Sequence, residues 1–420
     1  MTYSDAQRRR GRIALALLAT TGSGLLASCS SSTKTTTAPA AATTAAPAAT
    51  TAKPADTTAA PAATTAKPAA TTAAPAAGGD DIVAKAKAFV TAQLSGAGGF
   101  DGPKDGVKAA GPGTIAFIEA DATNGGITGV GDGVKEAAKV IGWEVKVYDG
   151  KATAQGRTEA LNAAIAEKPA GIILGGFDAV EQKDALKTAT AQKIPVVGWH
   201  AAGKPGPIPD AGLFTNVTTD PLEVSKIAAY YAIADSDGKA GVVVLTDTQY
   251  EIAVKKATTI SDIIKQCKTC SVLVDPYENS PIGEAEAKMP ALVASYLTKY
   301  GDKLQYMIGV NGNYAGGGAP ALKDAGKKGD GFPKQVAAGD GDKAEFKRIR
   351  DGQYQAATVA EPLYLQGWQL VDELNRALSG KPDSGYVAPP GLVTKANIGA
   401  GDVFDPKSPY RDNYKKQWGK

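Results

Sequence analysis

Eleven side chains stand at or just after the ends of apolar runs in this 420-residue chain: Asp121, Asn124, Phe177, Trp199, His200, Gln249, Tyr250, Asn311, Tyr314, Asp340 and Glu361. Planar polar groups with paired donors and acceptors suit a hydroxyl-rich solute. Aromatic rings give such a solute an apolar surface to stack on. An Asp or Asn after a strand also fits a helix cap or turn, but the aromatics recurring beside them favour a shared binding site. His200 is the only histidine. It leaves one candidate general base and removes multi-histidine metal centres. GxSxG and GxxxxGK[ST] motifs are absent, and the GVGDG glycines (129–133) lack dinucleotide-binding spacing. No catalytic residue, metal site or cofactor is expected.

Beyond the first 28 residues the arginines are Arg157, Arg348, Arg350, Arg376 and Arg411, and only Arg157 falls near a strand end. A site without arginine grips carboxylates and phosphates poorly. The residues therefore favour a neutral sugar or polyol, with an amine drawn by Asp121, Asp340 and Glu361, or an aromatic solute, as the alternative.

The apolar runs cover 114–120, 144–150, 171–176, 194–199, 241–247, 271–277, 305–312, 335–341 and 356–362. Segments with helical spacing separate them. This alternation predicts an α/β protein with two doubly wound, Rossmann-like lobes of parallel strands covered on both faces. In such sheets ligands sit beyond the carboxyl ends of the strands, where the eleven residues fall. Trp143 and Trp368 read as packing residues. Residues 80–95 read as an amphipathic helix expected to dock on the first lobe.

Before this body lies a different kind of sequence. Arg8, Arg9, Arg10 and Arg12 precede a short apolar run, too short to span a membrane. The run ends Leu26-Ala27-Ser28-Cys29. Residues 30–79 are nearly all Ala, Thr, Pro and Lys, and cannot bury enough surface to fold. At roughly 3.1 Å per residue such a tether reaches on the order of 150 Å when extended. Its threonines could also carry O-glycans.

The formal charge is +3, all of it carried by residues 1–28. The rest is near neutral, which argues against nucleic acid as a partner. Cys267 and Cys270 form a close CKTC pair. In an exported protein this reads first as a disulfide, with free thiols or a redox pair as alternatives.

The segment 26–29 resembles the lipobox of bacterial lipoproteins, which implies cleavage before Cys29 and a lipid on its sulfur. A plain secretory signal is the alternative. The body resembles the type I periplasmic solute-binding proteins of ABC importers, in particular the ribose-binding-like group, over about residues 112–400. The resemblance is carried in order by ADATNGGITGVGDGVKEAAKVIGWEV, AEKPAGIILGGFDAV, KIPVVGWH, LFTNVTTDPLEVSKIAAYYA, GVNGNYAGGGAPAL, AAGDGD and ATVAEPLYLQGWQLVDELNRAL. It implies ligand contacts at Asn124, Asn311, Asp340 and Glu361. Where ribose-type members carry an Asp-Arg pair, this chain has His200-Ala201.

The resemblance further implies a monomer with three hinge crossings, near 215–220, 361–362 and 388–390. The expected organisation is a signal at 1–28, a tether at 29–79, a first lobe of 80–217 plus 362–388, and a second of 218–361 plus 389–420. The expected partners are a small solute and importer permease subunits, with membrane contact only through the lipid. Two readings compete with import. One is a ligand-presenting receptor for a chemosensory or two-component system. The other is a repressor of shared fold, which the export signal disfavours.

Overall fold

The computed structural model describes residues 80–95 and 102–420. The signal, the tether and Cys29 lie outside the described residues, which all belong to one unit.

The chain begins with helix α1 (Asp80–Leu94). The first lobe then runs β1 (Gly113–Glu119), α2 (Gly125–Ile141), β2 (Trp143–Asp149), α3 (Ala154–Ala166), β3 (Gly171–Gly175), α4 (Lys183–Ala191), β4 (Val196–Trp199), β5 (Gly206–Ile208) and β6 (Leu213–Val217). The second runs α5 (Pro221–Asp235), β7 (Gly241–Thr246), α6 (Glu251–Gln266), β8 (Ser271–Val272), β9 (Glu278–Asn279), α7 (Ala285–Tyr300), β10 (Tyr306–Gly309), α8 (Asn313–Asp324), β11 (Lys334–Ala337), α9 (Lys343–Asp351) and β12 (Gln355–Ala360). Helix α10 (Leu363–Leu378), strand β13 (Gly391–Thr394) and helix α11 (Tyr410–Trp418) complete it.

The strand orders are β2-β1-β3-β4-β6-β5 and β13-β12-β11-β10-β7-β8, with β9 also beside β7. Among the described residues only edge strands β5 and β13 run antiparallel to their neighbours. Both sheets are thus doubly wound, and their carboxyl ends supply the side chains of interest. Central strands such as β3 and β7 are buried along their whole length, as parallel strands under two helical layers must be. The chain leaves β6 for α5, returns from β12 to α10, and crosses again from α10 to β13.

The glycines of 129–133 lie within α2. They have a packing reason. A side chain at Gly133 would meet the Tyr364 backbone at 2.8 Å, and one at Gly367 would meet Gly133 at 2.6 Å. Helices α2 and α10 therefore touch backbone to backbone.

Three expectations need correction. The strand expected over 271–277 pairs with β7 as β8 only at Ser271 and Val272; Pro276 farther on has no N–H to offer a ladder. Helix α1 docks on the second lobe, not the first. Ala86 is buried in that lobe's core, Phe89 meets Tyr230 edge to face at 5.3 Å, and Lys87 pairs with Asp237. The end of the chain, expected on the second lobe, returns to the first. Trp418 stacks on Trp368 at 5.3 Å and donates to Asp372 at 2.7 Å. In both cases aromatic rings packed into a lobe's core, not chain order, set the docking. Trp143 and Trp368 are core residues. Cys267 and Cys270 lie at disulfide distance, with Cα atoms 5.2 Å apart, between α6 and β8.

Candidate functional site

A chamber of about 460 Å³ lies where the carboxyl ends of the two sheets face each other. The first lobe contributes Asp121, Asn124, Trp199 and His200. The second contributes Asp247, Gln249, Tyr250, Lys256, Asn311 and Asp340. An adjoining cavity of about 490 Å³ shares Asp121, Ile282 and Gly283 with it.

Each liner is fixed by its strand end. Asn124 follows β1 and caps α2: its Oδ1 accepts from the N–H groups of Gly126 at 3.0 Å and Ile127 at 3.2 Å. The cap and the site are the same residue, and the amide nitrogen is the group left to donate. Asp121 Oδ1 accepts from the Thr123 N–H at 2.8 Å. Asn311 Oδ1 accepts from the Asn313 N–H at 3.2 Å. His200 and Asp340 have left-handed backbones, with φ of 51° and 64°. Such conformations cost of order 1–3 kcal/mol and cluster at ligand sites. Trp199 and His200 stack in parallel, centroids 3.8 Å apart, and Trp199 Nε1 donates to Gln366 Oε1 at 2.9 Å.

Under this stack lies Glu361, fully buried at the crossing from β12 to α10. Its Oε2 accepts from Gln366 Nε2 at 2.8 Å and from the Thr219 N–H at 3.4 Å. Its Oε1 is 2.9 Å from His200 Nε2 and 3.5 Å from Lys256 Nζ. The His200 contact is close, but the ring N–H is not aligned for a hydrogen bond. Burial pushes the Glu361 pKa up, yet His200 and Lys256 hold it well below the usual range. Burial lowers the His200 pKa despite Glu361, and Lys256 lowers it further. Burial thus favours the uncharged imidazole, and the Lys256 ammonium is the second group set against the Glu361 carboxylate. Asp340 is raised well above the carboxylate range, mainly by burial. Protonated, it can donate as well as accept.

His200, Asp340 and Glu361 bring metal-ligand atoms within 4.8 Å of one another. The Lys256 ammonium already sits against the same carboxylate, so the cation this cluster calls for is built into the chain.

Phe177, Tyr314 and Glu361 do not line the chamber. Phe177 is in the first lobe's core. Tyr314 is turned into the second, its hydroxyl donating to the Ser280 carbonyl at 2.7 Å. Glu361 lies behind the wall, in contact with the chamber residues His200 and Lys256. Lys256 and Asp247 are chamber residues absent from the eleven. Lys256 had a readable signal: on α6 it shares the buried stripe of Ile252, Ala253, Ala257 and Ile260. Asp247 stands directly after β7. Its Oδ1 accepts from the Gln249 N–H at 3.0 Å and its Oδ2 from the Ile282 N–H at 2.9 Å. Arg157 is outside the chamber. It is bound to Glu181 through Nε at 3.0 Å and Nη2 at 2.6 Å, and lies between the Phe177 and Tyr250 rings.

Two doubly wound lobes facing each other across a polar chamber narrow the fold to few families. Residues 115–382 match the periplasmic binding protein domain family. The chain belongs to the periplasmic binding proteins. Members of this family bind solutes outside the cytoplasm and are not enzymes. Among solved structures, this periplasmic binding protein is similar to an ABC transporter solute-binding protein from Agrobacterium vitis bound with alpha-D-tagatopyranose. The TM-score is 0.61 at 18% identity, covering 69% of this chain and 97% of that one. It is similar to the periplasmic binding protein of the arabinose ABC transporter from Shewanella sp. ANA-3, bound to L-arabinofuranose. There the TM-score is 0.57 at 21% identity, covering 72% and 95%. A third is a solute-binding protein from Bacillus halodurans with bound myo-inositol, with TM-score 0.58, 16% identity and coverage of 75% and 99%. No curated protein matches the sequence.

Proposed function

We propose that this chain is the substrate-binding lipoprotein of an ABC importer. It captures a small neutral hydroxyl-rich solute, a sugar or polyol, between its lobes and presents it to the permease subunits as a monomer. The observation that carries this reading is the chamber lining. Asp121, Asn124, Asp247, Gln249, Asn311 and Asp340 surround the Trp199–His200 stack, while Arg157 is tied to Glu181 outside it. Amides and carboxyls in that density suit vicinal hydroxyls, and the indole and imidazole suit the apolar face of a ring. The solved relatives bound to a ketohexose, an aldopentose and a cyclitol support the class. The proposed lobes meet at crossings near residues 217–221, 360–363 and 388–391, and closing about them would enclose the solute. The lipid anchor is assigned to Cys29 on the Leu26–Cys29 sequence.

Thermal-shift and calorimetric screening of the full chain tests the binding reading, using D-tagatose, L-arabinose, myo-inositol and glycerol against amines and aromatics. A solute at 100 times its Kd stabilises by about 2.7 kcal/mol, which raises Tm measurably. Stabilisation by amines alone removes the sugar reading, and stabilisation by nothing removes capture. Mass spectrometry of the mature N-terminus should find a diacylated Cys29.

A further inference from the structure

Helix α6 carries much of the chamber wall: Tyr250 at its N-cap position, then Ile252, Ala253 and Lys256. Tyr250 makes no side-chain capping bond, so its own sequence leaves the first N–H groups of the helix without the usual acceptor. The acceptor comes from the other lobe. Asp178, three residues beyond the end of β3, places Oδ2 2.9 Å from the Glu251 N–H. The contact is reciprocated. Glu251 Oε2 accepts from the Gly203 N–H at 3.2 Å, and Lys255 Nζ donates to the Gly203 carbonyl at 3.1 Å. Asp178, Gly203 and Glu251 line no wall of the chamber.

We propose that Asp178 is a positioning residue for solute capture: it caps α6 across the interface, latches the lobes shut and holds Tyr250 and Lys256 in place. Solute affinity then depends on a side chain that touches no solute. This rests on the closing-lobe reading above. The groups facing Asp178 are Glu251 and Glu181, which oppose its charge, and Arg157, which favours it. Burial dominates and lifts its pKa to about 6. Opening releases it to solvent, so closure takes up a proton. The latch therefore weakens as pH rises from about 4 to about 6 and levels off above.

Amide hydrogen exchange at Glu251 in the full chain reads the latch without any solute. At the first position of α6 this N–H has no partner within the helix, so its protection reports Asp178. Asp178→Ala should speed its exchange at least about tenfold relative to the intrinsic rate, while Asp178→Asn, which keeps a carbonyl oxygen, should restore protection. Protection should fall with rising pH over the stated window in the unsubstituted chain and stay flat in Asp178→Asn. Equal exchange in the unsubstituted chain and Asp178→Ala overturns the proposal, as does an Asp178→Asn chain that is folded by circular dichroism yet unprotected. If L-arabinose or myo-inositol binds, Asp178→Ala should raise its Kd about tenfold through a faster koff. Protection at Glu251 together with a solute screen in which nothing binds would sink the transport reading and leave the latch standing.

Discussion

Lys256 on α6 and Glu361 at the β12–α10 crossing form a buried pair, Nζ 3.5 Å from Oε1, with neither side chain more than 3% exposed. One comes from the second lobe. The other is held through Gln366 and His200 by the first. Removing one partner leaves an uncompensated charge in the interior. Lys256→Met should therefore destabilise the protein by about 3–5 kcal/mol, read by denaturant unfolding. Adding Glu361→Gln should recover most of that loss. Additive losses would show that the two charges do not compensate each other.

Asp340 should separate binding from folding. Its carboxyl lines the chamber, and burial disfavours its charge. Asp340→Ala should weaken solute binding by about 0.5–1.5 kcal/mol, the range for a hydrogen bond between neutral groups, with no loss of Tm. Calorimetry and thermal melts on one preparation decide it. Unchanged affinity would remove Asp340 from the site.

Gly126 is a close-approach glycine of the cleft. A methyl group there would lie 2.6 Å from Asp340 Cγ and 2.7 Å from its Oδ2. The backbone sits in the first turn of α2, where alanine is otherwise preferred over glycine. Gly126→Ala should leave stability equal or higher and lower solute affinity at least tenfold, because the lobes can no longer meet at Asp340. Affinity equal to that of the unsubstituted chain would mean that solute is held without this contact.

Stability should peak on the acid side of neutrality. Glu345 and Glu373 are buried and each raised to about 7, mainly by burial. A raised carboxylate binds its proton more tightly folded than unfolded, so its contribution is full below about 4.5 and is lost as pH rises towards 7. Glu361 acts with the opposite sign: lowered in the fold, it stabilises above about 4.5 and loses that as pH falls. Tm should therefore be higher at pH 5.5 than at 7.5. Glu373→Gln, which keeps an oxygen for the Ser384 N–H, should reduce the difference. A Tm independent of pH over that range would contradict both burial assignments.

The strands were legible because central parallel strands must be apolar on both faces, and chain direction alone then put Asn124, Trp199, His200, Asn311 and Asp340 at one edge. Which way a ring turns at such an edge was not legible. Phe177 lies just beyond β3 and Tyr314 in the first turn of α8, near their strand ends as Trp199 and Tyr250 are near theirs, but both rotate into the cores. Lys256 was legible only by asking why a lysine shares the buried stripe of a helix. The docking of α1 and α11 was invisible. An amphipathic stripe declares that it needs a partner, and the three-dimensional arrangement decides which lobe supplies it.

The placement of α1 decides which jaw is fixed. The body begins with a helix clamped to the second lobe through Phe89, Tyr230 and the Lys87–Asp237 pair. A chain anchored at its N-terminus would hold that lobe as the stator. The first lobe, carrying Trp199, His200 and Asp178, would be the arm that swings. A pull from such an anchor would be borne by α1 before it reached any crossing between the lobes, leaving capture unloaded.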